Sequence, residues 1–444
     1  MYIIVKIFKE TKLTIEMKNI VLVKPYATTE LVRTRPRLSI ARSEIMDTIR
    51  TLYLFSILII GLGFLSSCKP TPDDEHNNKN ALPLLSIITP DGQEITSKDE
   101  WMKGALLSLM KSDNEIPLFD TIPTNIRGRG NSTWLMPKKP YAIKLEKKRG
   151  IMGMPEHKRW VLIANYRDNS FLRNTMAFYL SRQLEMEYTV RGQFVMLNLN
   201  GEDQGLYWLG VAIKVDKNRV NIDEEYDYLI ELDEYYDEVW KFRSVRKNFP
   251  YMIKNDDAMT NERLQFLQDK IAALEALLYP DHDGAPNEAY AETIDLDSWA
   301  KFYLVNELMG NPELNHPKSC YLTYNVTNGR LKAGPVWDFD LAALTPSACC
   351  LMNTLYYDAL FKSTTFKKKL KEIWNEYSGK IDIEKQIDSL RKIIYKGQQA
   401  DAEIWGAHLD PSYIAQDGFD EYVEFLKQTL CQNFSSVNHM IEGL

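Results

Sequence analysis

The hydrophobic rhythm of this chain changes once, near residue 258, and that change restricts the fold more than any other feature. Before it, apolar residues recur mostly at every second position, the strand period; after it they recur at helical spacing. In the first part, "LPLLSIITPDGQEI" (82–95) predicts a strand, a Pro-Asp-Gly turn and a returning strand. "KKPYAIKLEKK" alternates Tyr141, Ile143 and Leu145 against Ala142, Lys144 and Glu146, and "RWVLIANY" is a short apolar strand. One helix interrupts: Leu172, Met176, Tyr179, Leu180 and Leu184 share a face, with Asp168, Asn169 and Ser170 as capping residues. Residues 192–215 read as a hairpin turning at Asn200-Gly201, and "YDYLIELDEYY" as another strand. Beyond 258, residues 259–279 and 295–310 predict amphipathic helices, the second capped at Asp295 or Asp297. A loop, "NPELNHPKS", leads to a hairpin over 320–337, and helices fill most of 357–444.

A strand-rich half with one helix, followed by a helical half with one hairpin, is an α+β chain of two lobes, about 82–255 and about 256–444. A hydrophobic content of 45% is that of a globular protein, and a net charge of −7 argues against nucleic acid as a partner. Five cysteines without a CxxC pair argue against structural zinc.

Residues 46–68, "MDTIRTLYLFSILIIGLGFLSSC", place Arg50 before an apolar run too short to span a membrane, as in a signal peptide. The ending Leu65-Ser66-Ser67-Cys68 resembles the lipobox of bacterial lipoproteins, in which the cysteine carries the lipid. Met46 is then the expected start, residues 1–45 a mis-assigned upstream segment, and the polar 69–81 a tether. The expected location is the bacterial cell envelope, periplasmic or outer-surface, with the membrane reached through the lipid.

The segment "GPVWDFDLA" sets two carboxylates, Asp338 and Asp340, one residue apart between aromatic anchors. On an extended segment both point to one side. Close carboxylates repel unless a cation or a proton sits between them. The preceding helix, loop and hairpin, and before them Gly128, Gly130 and Lys144, follow the order of parts in a protein kinase.

Taken together, "IRGRGNSTW", "KKPYAIKLEKK", "RWVLIANYRDNSFLRN", "DQGLYWLG", "DYLIELDEYY", "YLVNELMGNPELNHPKSCYL" and "GRLKAGPVWDFDLA" resemble the CotH kinase-like family of atypical protein kinases, nearest its Bacteroidetes lipoprotein branch. The resemblance runs from about Leu82 to about Trp374. It implies a two-lobed kinase-like fold using ATP with Mg²⁺ or Mn²⁺, and a monomer that phosphorylates an exported or surface protein. Asp338 would hold the metal, with Asp340 and Asn315 as further ligands. Lys144 would meet the phosphates, helped by Arg127, Arg129, Asn131, Ser132 and Arg173, with Glu185 the available helix partner for Lys144. Glu313 stands where the family has the aspartate that serves as base, and His316 and Lys318 are nearby.

Two departures leave other readings open. Glu313 replaces that aspartate, and Val211 replaces a glutamate expected near the adenine. The chain is then either an active kinase or a kinase-fold binding module without transfer chemistry. A third reading, a glycan-acting enzyme, rests on Glu231 and Asp233 among aromatic residues.

Overall fold

Seven strands close into a barrel, and the way they close was not visible in the alternation. The computed structural model describes residues 82–111, 117–280, 284–340, 343–344, 351–406 and 418–444. The segments expected to be an upstream extension (1–45), a signal peptide ending at Cys68 and a tether (69–81) lie outside the described residues. Strands β1 (Leu84–Ile88), β2 (Met102–Met110), β3 (Pro117–Gly128), β4 (Tyr141–Ile151), β5 (Met154–Ile163), β6 (Gly192–Leu199) and β7 (Glu202–Val211) run in the order β1-β2-β3-β4-β5-β7-β6. The ring closes where β1 pairs in parallel with β6, Leu85 opposite Leu197. Alternate residues fill the interior: Leu85 and Ile87, Leu107 and Leu109, Ile143 and Leu145 are all buried. The return strand expected directly after Pro90-Asp91-Gly92 is absent; β1 takes β2 as its antiparallel partner instead. Gln93 and Glu94 are exposed, whereas Ala105, Leu107 and Leu109 offer an apolar face at the required period.

The Asn200-Gly201 turn is as expected. Both residues have positive φ, 54° and 88°, and Leu199 pairs with Glu202 across the turn. Helix α1 (Arg173–Gln183) lies between β5 and β6 in the chain. Its first amide, on Arg173, donates to Asp168 Oδ2 at 2.9 Å, so the expected capping carboxylate acts from the preceding loop.

A second sheet runs β12-β11-β8-β10-β9, from β8 (Tyr228–Leu232), β9 (Lys241–Arg243), β10 (Pro250–Ile253), β11 (Cys320–Asn325) and β12 (Arg330–Ala333). Strand β8 pairs with β11, Leu322 opposite Ile230. The boundary placed near 255 therefore separates strands of one sheet, because the hairpin from the helical half pairs with the strand-rich half. Helices α2 (Asn261–Leu278), α3 (Leu296–Leu308), α4 (Tyr357–Leu360), α5 (Thr364–Tyr377), α6 (Ile383–Trp405) and α7 (Phe419–Glu442) are the other α-helices among the described residues. Asp295 caps α3 by accepting from the Ser298 amide at 2.9 Å. The content is thus mixed α and β, strand-rich first and mainly helical toward the C-terminus.

Candidate active site

A cavity of about 390 Å³ opens beside the end of β3, where residues from the barrel face residues of the second sheet and of the segments at 313–319 and 337–340. Its barrel wall is the turn after β3. Gly128 is required there, since a Cβ would lie 2.4 Å from the Trp134 ring. Gly130 has φ +79°, the left-handed region that favours glycine. Packing the loop this tightly turns Arg127, Arg129, Asn131 and Ser132 into the cavity. Arg127 lies 4.8 Å over the Trp101 ring and donates to the Asp99 carbonyl at 3.0 Å. Arg129 lies 5.4 Å over the Trp337 ring. Asn131 Oδ1 accepts from Lys98 at 2.6 Å.

The opposite wall is acidic. Trp337 and Phe339 are buried, and Trp337 stacks on Phe178 of α1 at 5.9 Å. The segment between them is not the extended strand end that the spacing predicted: β12 stops at Ala333, and Asp338 has φ +69°. A non-glycine residue in that conformation costs about 1–2 kcal/mol, which its surroundings must outweigh. They do so through α1. Asn174 Oδ1 accepts from the Phe339 amide at 2.8 Å, and Arg173 Nη1 donates to the Asp340 carbonyl at 3.4 Å. Arg173 is in turn held by Asp168, 3.7 Å away.

Asp338 accepts from Ser319 Oγ at 3.2 Å. Asp340 is 5% exposed, and its Oδ1 has no hydrogen-bond partner. Burial, and then the neighbouring Asp338, push the Asp340 carboxyl well above the usual carboxylate range. Glu313 sits in a 3₁₀ turn (Pro312–Asn315) whose start is fixed by Asn311, which accepts from the Glu313 amide at 3.2 Å. Burial first, and then Asp338, raise Glu313 to about 7. Burial likewise lifts Asp233 to about 6, although it accepts from the amides of Tyr235 and Ser319 at 2.8 and 3.1 Å.

The structure gathers Arg127, Arg129, Asn131, Glu313, Asp338 and Asp340 around one cavity, with Lys318 beside them. Arg173 acts behind the wall, on the backbone of Asp340. Lys144 is not among the lining residues: it alternates with the buried Ile143 and Leu145 and lies on the barrel's outer face, paired with Asn125 and Arg159. Glu185 does not pair with it, being bound to Lys380 at 2.9 Å. Asn315 and His316 are exposed and outside the cavity. Val211 is buried at the end of β7, opposite Trp160 and also outside the cavity.

Lys254 is the lysine that sequence reasoning missed. It lines the cavity, pairs with Glu231 at 2.8 Å and also binds Glu238. Burial opposes its charge, but the two glutamates outweigh burial and hold the ammonium above its usual range. The available signal was Glu231 itself, an acid inside the wholly buried strand β8. Of the two acids on which the glycan-acting reading rested, Glu231 is tied to Lys254 and Asp233 accepts two backbone amides.

Among the described residues, no group of three His, Cys, Asp or Glu side chains is arranged to hold a metal ion alone. Asp338 and Asp340 nevertheless fit Mg²⁺ or Mn²⁺. Such ions are commonly held by one or two carboxylates, the remaining ligands being water and substrate phosphate. The unpartnered Asp340 oxygen is the feature a cation would satisfy.

The CotH family's sequence profile, described as CotH kinase protein, matches residues 126–434, and the chain belongs to that family. Among solved structures, the crystal structure of the Helicobacter pylori proinflammatory kinase CtkA is similar over 67% of this chain and 90% of that one, at 10% identity and a TM-score of 0.31. Comparison with curated proteins found no match.

Proposed function

We propose that this chain is an exported, two-lobed atypical kinase that transfers the γ-phosphoryl group of ATP to a hydroxyl of a surface or exported protein. The observation that carries the reading is the buried Asp340 carboxyl, with its unpartnered oxygen, beside Asp338 in a cavity whose other wall presents two arginines. A divalent metal would supply charge neutralisation of the phosphates there. Asp338 and Asp340 would hold it, and Arg127, Arg129 and Lys254 would bind phosphate oxygens as fixed positive charges. Glu313, poised near 7, takes the acceptor hydroxyl's proton. Arg173 and Asn174 keep the Asp338–Asp340 backbone in its strained conformation. The lipid anchor at Cys68 would set the protein on the envelope as a monomer, consistent with the Bacteroidetes lipoprotein branch.

The test is a thermal melt with ATP, with and without Mg²⁺ or Mn²⁺, on the wild type and on Asp338→Ala. Ligand at a hundred times its dissociation constant adds about 2.7 kcal/mol, a shift of a few degrees in a chain of this size. The expected result is a metal-dependent rise that Asp338→Ala loses together with phosphoryl transfer. Binding without transfer from any protein acceptor would favour the binding module. No rise in the wild type would overturn the nucleotide reading.

A further inference from the structure

One buried ionic pair at the cavity has no part in the chemistry above. Lys138 lies between the glycine turn and β4, in the cavity wall, wholly enclosed. Its Nζ donates to the Leu206 carbonyl at 2.6 Å and pairs with Asp401, and it lies 4.7 Å over the Tyr207 ring and 5.3 Å over Phe171. Asp401 belongs to α6, and its Oδ1 also accepts from the Leu206 amide at 2.8 Å. Strand β7 is shaped for this carboxylate: a Cβ on Gly205, whose φ is +79°, would sit 2.2 Å from the same oxygen.

The contact belongs to one stripe of α6. Gly397, Asp401 and Trp405 are spaced four apart and so share a face. A Cβ at Gly397 would lie 2.7 Å from Leu82, and Trp405 Nε1 donates to the Gln204 carbonyl at 3.0 Å. From Lys138 the path to the phosphate-facing arginines is short. The Pro140 carbonyl, two residues on, accepts from the Arg129 amide at 3.2 Å, and Lys139 Nζ donates to the Trp134 carbonyl at 2.9 Å. Packing alone does not explain an ion pair here, because apolar residues of similar volume serve packing as well or better.

We propose that Lys138 and Asp401 are positioning residues: through them helix α6 fixes the glycine-turn wall that carries Arg127 and Arg129, and so sets nucleotide affinity from the C-terminal helices. The effect on affinity rests on the nucleotide reading of the cavity; the effect on the wall does not.

The experiment compares Asp401→Asn and Lys138→Met with Leu390→Ala, which truncates a buried side chain elsewhere on α6. Two quantities are read in the full chain below every melting midpoint: affinity for ATP with Mg²⁺, and amide hydrogen exchange over residues 128–137. The pair variants should weaken binding about tenfold, a coupling of ordinary size, and speed exchange in that segment. Leu390→Ala should lower the midpoint while leaving both unchanged. Unchanged affinity and exchange in the pair variants, with only the midpoint lowered, would reduce the pair to a structural staple and overturn the proposal. If the wild type binds no ATP, the nucleotide reading fails, and the exchange comparison still decides whether α6 holds the wall. Should a single variant not fold, Lys138→Met combined with Asp401→Leu removes both charges and carries the same expectation.

Discussion

The two walls of the cavity are built on opposite principles. On the barrel side, the polar side chains are mostly engaged: Arg127 and Arg129 lie over tryptophan rings, Asn131 is bonded to Lys98, and Gly128 makes room for Trp134, with the buried Arg127 Nε left without a hydrogen-bond partner. On the acidic side, charges are left in tension: Asp340 has an unpartnered oxygen, Glu313 and Asp233 are raised to about 7 and about 6, and Asp338 has φ +69°. The first arrangement lowers the free energy of the folded chain. The second raises it, and becomes favourable only when something positive or protonated arrives. Stability and chemistry are thus divided between the walls, and substitutions on each should fail in different ways.

The largest effect is expected on the acidic side. Glu313→Gln should lower phosphoryl transfer by about 10²- to 10⁴-fold, the usual contribution of a positioned base. In the wild type the rate should rise with pH as Glu313 loses its proton, and the variant should lack that limb. Stability should move the other way. The folded state holds the Glu313 proton more tightly than the unfolded chain, so its contribution is complete below about 4.5 and is lost as pH climbs through about 7. At pH 8 the Gln variant should therefore melt a few degrees higher than the wild type; a lower midpoint would contradict the picture of an acidic wall in tension.

A smaller effect, of opposite kind, is expected from Gly128→Ala. The added methyl meets the Trp134 ring at 2.4 Å, and overpacking of this sort costs about 1–3 kcal/mol. Denaturant unfolding should show that loss, and a silent substitution would mean that the turn has room to shift. The smallest effect belongs to Lys144→Ala. With its side chain on the outer face of β4, ATP affinity should stay within error of wild type, and a clear loss would return this lysine to the site.

Much of the site was legible because its chemistry is local. Arg127 and Arg129 stand beside their glycines, and "WDFD" announces two acids among aromatic anchors. Asn200-Gly201 and Asp295 signalled a turn and a cap through short-range backbone preferences, and both are realised. What was not legible depends on distant pairing. The lysine of the kinase-like order was placed at Lys144, whose strand and facing were plain, but the pairing that sets it opposite Asn125 and outside the cavity was not. Lys254 meets Glu231 only through the register of β10 on β8, with Ile253 opposite Ile230. Lys138 meets Asp401 across 263 residues. The left-handed turn at Asp338 is likewise invisible to a pattern that assumes an extended segment.

The parallel pairing of β1 with β6 bears on how the protein can be produced. A recombinant chain begun at Ile126, where the match to the family profile starts, would lack β1, β2 and most of β3. Strands β4 and β6 would then each present an unpaired edge, with the interior residues Ile143 and Leu145 uncovered beside it. Such edges invite intermolecular sheet extension, so the truncated product should collect in inclusion bodies, whereas one begun before Leu84 should stay in solution. The stretch that matches the family profile is therefore shorter than the stretch that closes the barrel.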